Sequence, residues 1–246
     1  MKKLIVVLLL AAAPMLGLAS GEGPHLDAAN IDLGDQASLQ RGAKYFVNYC
    51  LSCHSAKYQR YNRMAKDLGL TEDEVINNLM FTTDKIGDTM NISMTTAQGK
   101  AWFGNPPPDL SVLIRARGVD YIYTYLRSFY LDEKRPFGVN NTVFPDVAMP
   151  HVLWELQGTQ KAVYKTETDA KGIEHEVFEG FEPVTPGTLS AEEYDQVARD
   201  LTAFLSYVGE PIQMERKAMG KWVLLFIAVF FVLAYLLKKE YWKDIH

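Results

Sequence analysis

The chain has 246 residues, 48% of them hydrophobic and 22% charged, which allows one or two domains with a full core and excludes disorder, collagen-like repeats and a polytopic membrane protein. Lys plus Arg number 25 against 30 Asp plus Glu, and the net charge of −5 argues against nucleic acid as a partner. Two Cys are too few for a disulfide scaffold, and their closeness in sequence points to chemistry rather than stapling.

Residues 1–20 carry Lys2 and Lys3, an apolar run from Leu4 to Ala13 and the small-residue stretch Gly17-Leu18-Ala19. That is the pattern of a secretory signal peptide, cleaved after Ala19 or Ser20. Next, Asp35 or Ser38 can cap a helix running to about Cys50, with Leu39, Ala43, Phe46 and Cys50 on one face. Thr71 and Glu74 make a capping-box pattern before Val75, Ile76, Leu79 and Met80. Pro106-Pro107-Pro108 predicts a rigid extended segment, after which Asp109 is expected to cap a short helix through Arg117. Gly118 stops that helix, and Asp120 opens an aromatic-rich one to about Phe129. Residues 131–158, with Pro136, Gly138, Pro145 and Pro150, read as irregular, and residues 160–181 alternate around Asp169-Ala170-Lys171-Gly172 as a small hairpin.

The clearest helix begins at Ser190, with Glu193 three residues on as a capping box. Tyr194, Val197, Ala198, Leu201, Phe204, Leu205 and Val208 form its apolar stripe, and Gly209 and Pro211 end it. Trp222–Leu237 is free of charge, flanked by Lys221 and Lys238 and by interfacial aromatics, so 212–240 reads as one transmembrane anchor. The expected organisation is therefore a signal (1–20), an exported part (21–211), the anchor (212–240) and a short cytoplasmic tail (241–246). Residues 21–209 carry 17 Lys or Arg against 26 Asp or Glu, a net of −9, so the acidity is concentrated outside the membrane. Six of those carboxylates fall between Glu167 and Glu182, which suits either a solvated face or the steering of a basic partner.

Cys50-Leu51-Ser52-Cys53-His54 is CxxCH, the attachment signature of a c-type haem. Two thiols at this spacing can reach the two vinyl groups of one porphyrin, and the adjacent imidazole of His54 then serves as proximal iron ligand. A redox disulfide would call for a βαβ surround that is not seen, and a zinc site would need further Cys or suitably spaced His. The other axial position decides the function: a Met sulfur gives an electron-transferring haem of raised potential, whereas an open position suits a peroxidase or gas sensor. Met64 and Met80 lie in helical patterns and read as core. Met149, held extended by Pro150, competes with Met90 and Met94 in a polar loop, and His151 and His175 are nitrogen alternatives.

The CxxCH, Pro107-Pro108-Asp109-Leu110-Ser111, Arg115-Ala116-Arg117, the stretch from Asn141 to Ala148-Met149-Pro150 and the single C-terminal anchor together resemble the cytochrome c1 family, bacterial members above all. The likeness runs through nearly the whole chain after residue 20. It implies a mainly α fold, a cytochrome c-like haem domain with inserted loops and a small hairpin, plus one C-terminal transmembrane helix. It implies one haem c on Cys50 and Cys53, with His54 and Met149 as the iron ligands. It places Pro108 and the following Arg beside the haem, with Arg115 as the partner of a propionate and Arg117 in reserve. It also implies membership of a dimeric cytochrome bc1 complex in the bacterial inner membrane, beside cytochrome b and a Rieske iron–sulfur protein. The haem domain would lie on the periplasmic side and deliver electrons to a soluble, basic cytochrome c. The competing readings are an independent anchored cytochrome feeding a terminal oxidase and a haem peroxidase or gas sensor.

Overall fold

The computed structural model describes residues 23–168, 172 and 174–244; the signal-peptide reading of 1–20 lies outside them. In chain order the elements are α1 (Gln36–Tyr45), a π-helical turn (Phe46–Cys50), β1 (Ala56–Arg60), α2 (Tyr61–Asp67), α3 (Glu72–Asn78) and β2 (Thr89–Met90). Then come α4 (Thr96–Phe103), α5 (Leu113–Arg117), α6 (Val119–Arg127), β3 (Phe129–Leu131), β4 (Val139–Asn141), α7 (Trp154–Gln157), β5 (Gly158–Thr168), β6 (Glu174–Pro186), α8 (Ala191–Gly209) and α9 (Gln213–Tyr241). Among the described residues the fold is mainly α, and each of the three sheets is a two-stranded antiparallel pair.

The domain is organised around the crossing of α1 and α8. Asp35 caps α1 by accepting from the Ser38 amide at 3.1 Å. Ser190 and Glu193 form the reciprocal capping box on α8. All seven residues of the predicted α8 stripe are buried, and burial extends around the whole helix from Leu201 to Gly209. A helix buried all round runs through the middle of a core, so Thr202, Ala203, Ser206 and Tyr207 are covered as well. At the crossing stands Gly42: a Cβ there would lie 2.1 Å from the Asp200 carbonyl oxygen and 2.7 Å from Phe204 Cβ. The Phe46 and Phe204 rings meet at 5.4 Å just beyond it. The buried Asp200 carboxylate accepts from Ser38 Oγ at 2.6 Å and from Arg41 Nε at 2.6 Å and Nη2 at 3.0 Å, which fixes the rotation of one helix against the other.

Several local expectations give way to longer-range contacts. Asp109 does not cap the helix that follows; α5 starts only at Leu113, without a side-chain cap. Asp120 lies inside the first turn of α6 and accepts from the Ala29 amide at 2.8 Å, tying down the N-terminal segment. Gly118, at φ 96°, makes the junction between α5 and α6 in a conformation that suits glycine. Phe129 is not helical: it begins β3, which pairs with β4 in the stretch read as irregular. The expected hairpin is present as β5–β6, with Tyr164 opposite Phe178 and Ala162 opposite Phe181, while residues 169–171 of its tip are not among those described. α9 has a mean hydropathy of 2.3 over its apolar window and is long and apolar enough to cross a membrane.

Candidate functional site

α1 does not simply stop before the Cys pair. Its last turn widens into the π form, in which the Leu51 amide donates to the Phe46 carbonyl at 2.9 Å. Single π turns inside helices recur at functional sites because the inserted residue re-aims the side chains that follow. Here it is followed by a tight turn in which the amides of Cys53 and His54 both donate to the Cys50 carbonyl, at 3.0 and 2.8 Å. Cys50, Cys53 and His54 are thereby gathered onto the lining of one cleft of about 360 Å³. Burial, aided by the nearby Cys53, pushes the Cys50 thiol up to about 12, so in this form it is protonated.

The imidazole is oriented from behind. His54 Nδ1 lies 2.8 Å from the Pro108 carbonyl oxygen, so Nδ1–H donates and Nε2 keeps its lone pair free for a metal. Burial lowers the His54 pKa and outweighs the Pro108 bond and the Asp109 charge, leaving the ring neutral as a metal ligand must be. The Pro106–Pro108 segment is itself pinned. α4 packs on it so closely that a Cβ at Gly99 would lie 2.9 Å from Pro107 Cδ, and the Leu110 amide donates to the Ser55 carbonyl at 2.8 Å.

Asp109 completes this brace. Its carboxylate accepts from Ser55 Oγ at 2.7 Å, from the Lys57 amide at 3.0 Å and from the Ser111 amide at 2.9 Å, joining the residues after His54 to the proline segment. Burial alone would raise its pKa, but the hydrogen bonds from Ser111, Lys57 and Ser55 prevail and hold it below 3.8. A carboxylate depressed in the folded state contributes stability above its unfolded pKa and loses it as pH falls through the folded value. Asp109→Asn is therefore expected to lower stability by about 1–2 kcal/mol at neutral pH and to shrink that loss in acid, as checked by thermal melts between about pH 3 and pH 7.

The loop after β4 brings Met149 to the same cleft. Two adjacent asparagines shape that loop: Asn140 Oδ1 accepts from the Asp146 amide at 2.9 Å, and Asn141 Oδ1 accepts from the amides of Val143 and Phe144 at 2.9 and 3.2 Å. Asn141 Nδ2 donates to the Tyr125 carbonyl at 2.8 Å, fastening the loop to α6. Among the described residues, Met149 is the one methionine on the cleft lining and His54 the one histidine. Met64 and Met90 are fully buried and Met80 nearly so, all within the core cluster, while Met94 lies off the cleft. His151 turns away into a neighbouring cavity of about 290 Å³, stacks on Phe129 at 4.8 Å, and is lowered to about 4 by burial. His175 stands on the exposed β6.

Pro108 lines the cleft, and Arg115 does not. The Arg115 Cγ lies 3.4 Å from where a Gly209 Cβ would stand, on the side facing α8. Arg117 lines the cleft instead, with its guanidinium 5.4 Å from the Tyr121 ring centre. Residues two apart on a helix face nearly opposite ways, so only one of the pair can do so. Tyr121 and Tyr125 on α6 and Leu205 on α8 are among the lining residues whose place at the cleft carried no clear sequence signal. Their helical stripes were legible, but not which cavity those stripes would meet.

The residues present fit a haem c. A predominantly apolar cleft of cofactor size holds two Cys, a neutral imidazole with its Nε2 unengaged, a thioether and one guanidinium.

Comparison with known proteins agrees in kind. Residues 29–175 and 181–245 match the model of the "Cytochrome C1 family". Over its full length the chain is 55% identical to the whole of a "Cytochrome c1" from Allochromatium vinosum. Over 99% of its length it is 46% identical to the whole of a protein of Nitrosomonas europaea named "Ammonia monooxygenase gamma subunit". A Rhodospirillum rubrum "Cytochrome c1" is 28% identical, with 86% of this chain and 83% of that protein covered.

Proposed function

This chain belongs to the cytochrome c1 family, and we propose that it is the electron-transfer haem subunit of a cytochrome bc1 complex, passing single electrons from a Rieske iron–sulfur protein to a soluble cytochrome c. The observation that carries this reading is the convergence of Cys50, Cys53, His54 and Met149 on one apolar cleft. Cys50 and Cys53 would hold haem c through thioethers, and His54 and Met149 would ligate its iron. When bound, the haem supplies one-electron chemistry at its iron, and a sulfur ligand sets that iron at a raised potential.

The remaining residues hold and shield. Pro108 fixes the tautomer of His54, the Asn140–Asn141 pair holds the Met149 loop, and Leu113, Ile122, Leu126 and Leu201 line the cleft with apolar surface that would exclude water from a bound haem. Arg117, rather than Arg115, would pair a propionate, a reading supported by its place on the cleft lining. The exposed Glu167, Glu174, Glu176, Glu179 and Glu182 on the β5–β6 hairpin favour fast, salt-sensitive encounters with a basic cytochrome. Residues 1–20 would direct export, leaving 21–211 on the periplasmic side of the bacterial inner membrane and 241–246 in the cytoplasm. The apolar α9 would be the anchor and pack beside cytochrome b in a dimeric complex.

Purification of the full chain from its membrane in mild detergent, followed by haem staining after denaturing electrophoresis, tests the reading. The expected result is a haem-staining band at the size of this chain, travelling with cytochrome b and a Rieske protein. A colourless band would overturn the haem assignment. Companions consisting of monooxygenase subunits, in keeping with the name of the Nitrosomonas relative, would overturn the bc1 assignment while leaving the haem in place.

A further inference from the structure

Tyr125 lies on α6 where its ring has little freedom. It stacks parallel to Tyr121 at 6.3 Å and meets Phe129 edge-on at 5.2 Å. Its backbone carbonyl is tied to Asn141, the residue that shapes the Met149 loop. Its hydroxyl reaches into the cleft and donates to Met149 Sδ at 3.3 Å.

A thioether sulfur has two lone pairs. One is taken by Tyr125, which leaves the other free to bind a metal. We propose that Tyr125 is a positioning residue for the haem iron, holding Met149 Sδ in the cleft through its hydroxyl and raising the reduction potential by drawing electron density from that sulfur. The inference rests on Met149 being an iron ligand. The physical reason is the usual one for a group behind a ligand: a hydrogen bond to the ligand atom weakens its donation, and the oxidised metal, which needs that donation more, is destabilised relative to the reduced one. No feature of the sequence marks Tyr125 for this task, since α6 carries three tyrosines and Tyr123 is held instead between Arg127 and Arg199, at 4.7 and 5.1 Å from its ring centre.

The test is Tyr125→Phe in the full, haem-loaded chain in detergent, read by potentiometric titration and by the sulfur-to-iron charge-transfer band of the oxidised protein. The Phe ring keeps the stacking and removes only the donor. The expected result is a roughly threefold shift of the redox equilibrium toward the oxidised form, about 30 mV at 59 mV per tenfold for one electron, with the band retained. Tyr125→Leu, a second variant lacking the donor, is expected to shift in the same sense. Repeating Tyr125→Phe in a Met149→His background separates tuning from packing: with no sulfur to receive the proton, the shift should vanish. An unchanged potential in Tyr125→Phe with the band present, or an equal shift in both backgrounds, overturns this inference alone. A wild-type protein without the band overturns the ligand assignment, and this inference with it.

Discussion

Met149→Ala is expected to abolish the sulfur-to-iron charge-transfer band and to lower the reduction potential by on the order of 0.2 V, a part of the ~0.8 V over which axial ligands act. The chain should still fold, because Met149 is only half-buried on a loop held by Asn140 and Asn141 rather than by the Met side chain. Met90→Ala supplies the contrast. Met90 is fully buried in the core, so its truncation should cost about 2–5 kcal/mol of stability while leaving the band intact. Met94→Ala should change neither. The three variants separate ligation from packing: potentiometry and the absorption spectrum report the first, and thermal melting reports the second. Loss of the band in Met90→Ala or Met94→Ala, with its retention in Met149→Ala, would reassign the ligand and leave the cleft without its thioether.

Gly42→Ala is expected to destabilise the crossing of α1 and α8 strongly. The added carbon would lie 2.1 Å from the Asp200 carbonyl oxygen, a backbone atom inside α8 that cannot swing aside as a side chain can. Relief requires the two helices to separate, which also strains the Asp200–Arg41–Ser38 network and the Phe46–Phe204 contact. Overpacking against backbone falls at the upper end of the usual range, about 3 kcal/mol or more. For a domain of this size that is a fall in melting temperature of about 6–12 °C. Because α1 runs into the π turn that carries Cys50, the same change should also lower haem incorporation, read as haem absorbance per unit of protein. A variant that melts as the wild type does would mean that the crossing is looser than 2.1 Å implies.

The contrast between Asp35 and Asp109 shows where sequence reading succeeds. Both stand before a short helical pattern and both look like caps. Asp35 is one, because its best partner, the Ser38 amide, is three residues away. Asp109 is not, because the chain brings it Ser55 and Lys57, more than fifty positions earlier, and those donors outcompete the helix start. Asp120 follows the same course with Ala29. The Thr95–Gln98 capping box of α4 was legible in the same terms as those at Thr71 and Ser190, but it opens on a polar stretch with no apolar stripe to draw attention to it.

The CxxCH at 50–54, the α8 helix with its capping box and stripe, the alternation that becomes β5–β6, and the apolar C-terminal helix are all properties of contiguous residues, so the amino-acid order is enough to specify them. Which methionine faces the cleft, which arginine of Arg115 and Arg117 lines it, how closely α1 and α8 approach, and that Tyr125 reaches a sulfur 24 positions on were settled by packing. The division has one cause: hydrogen-bond patterns and periodicities are short-range and repeat along the chain. The direction of a side chain into a shared cavity depends instead on how several distant segments fill the same volume, and no local stretch contains that information.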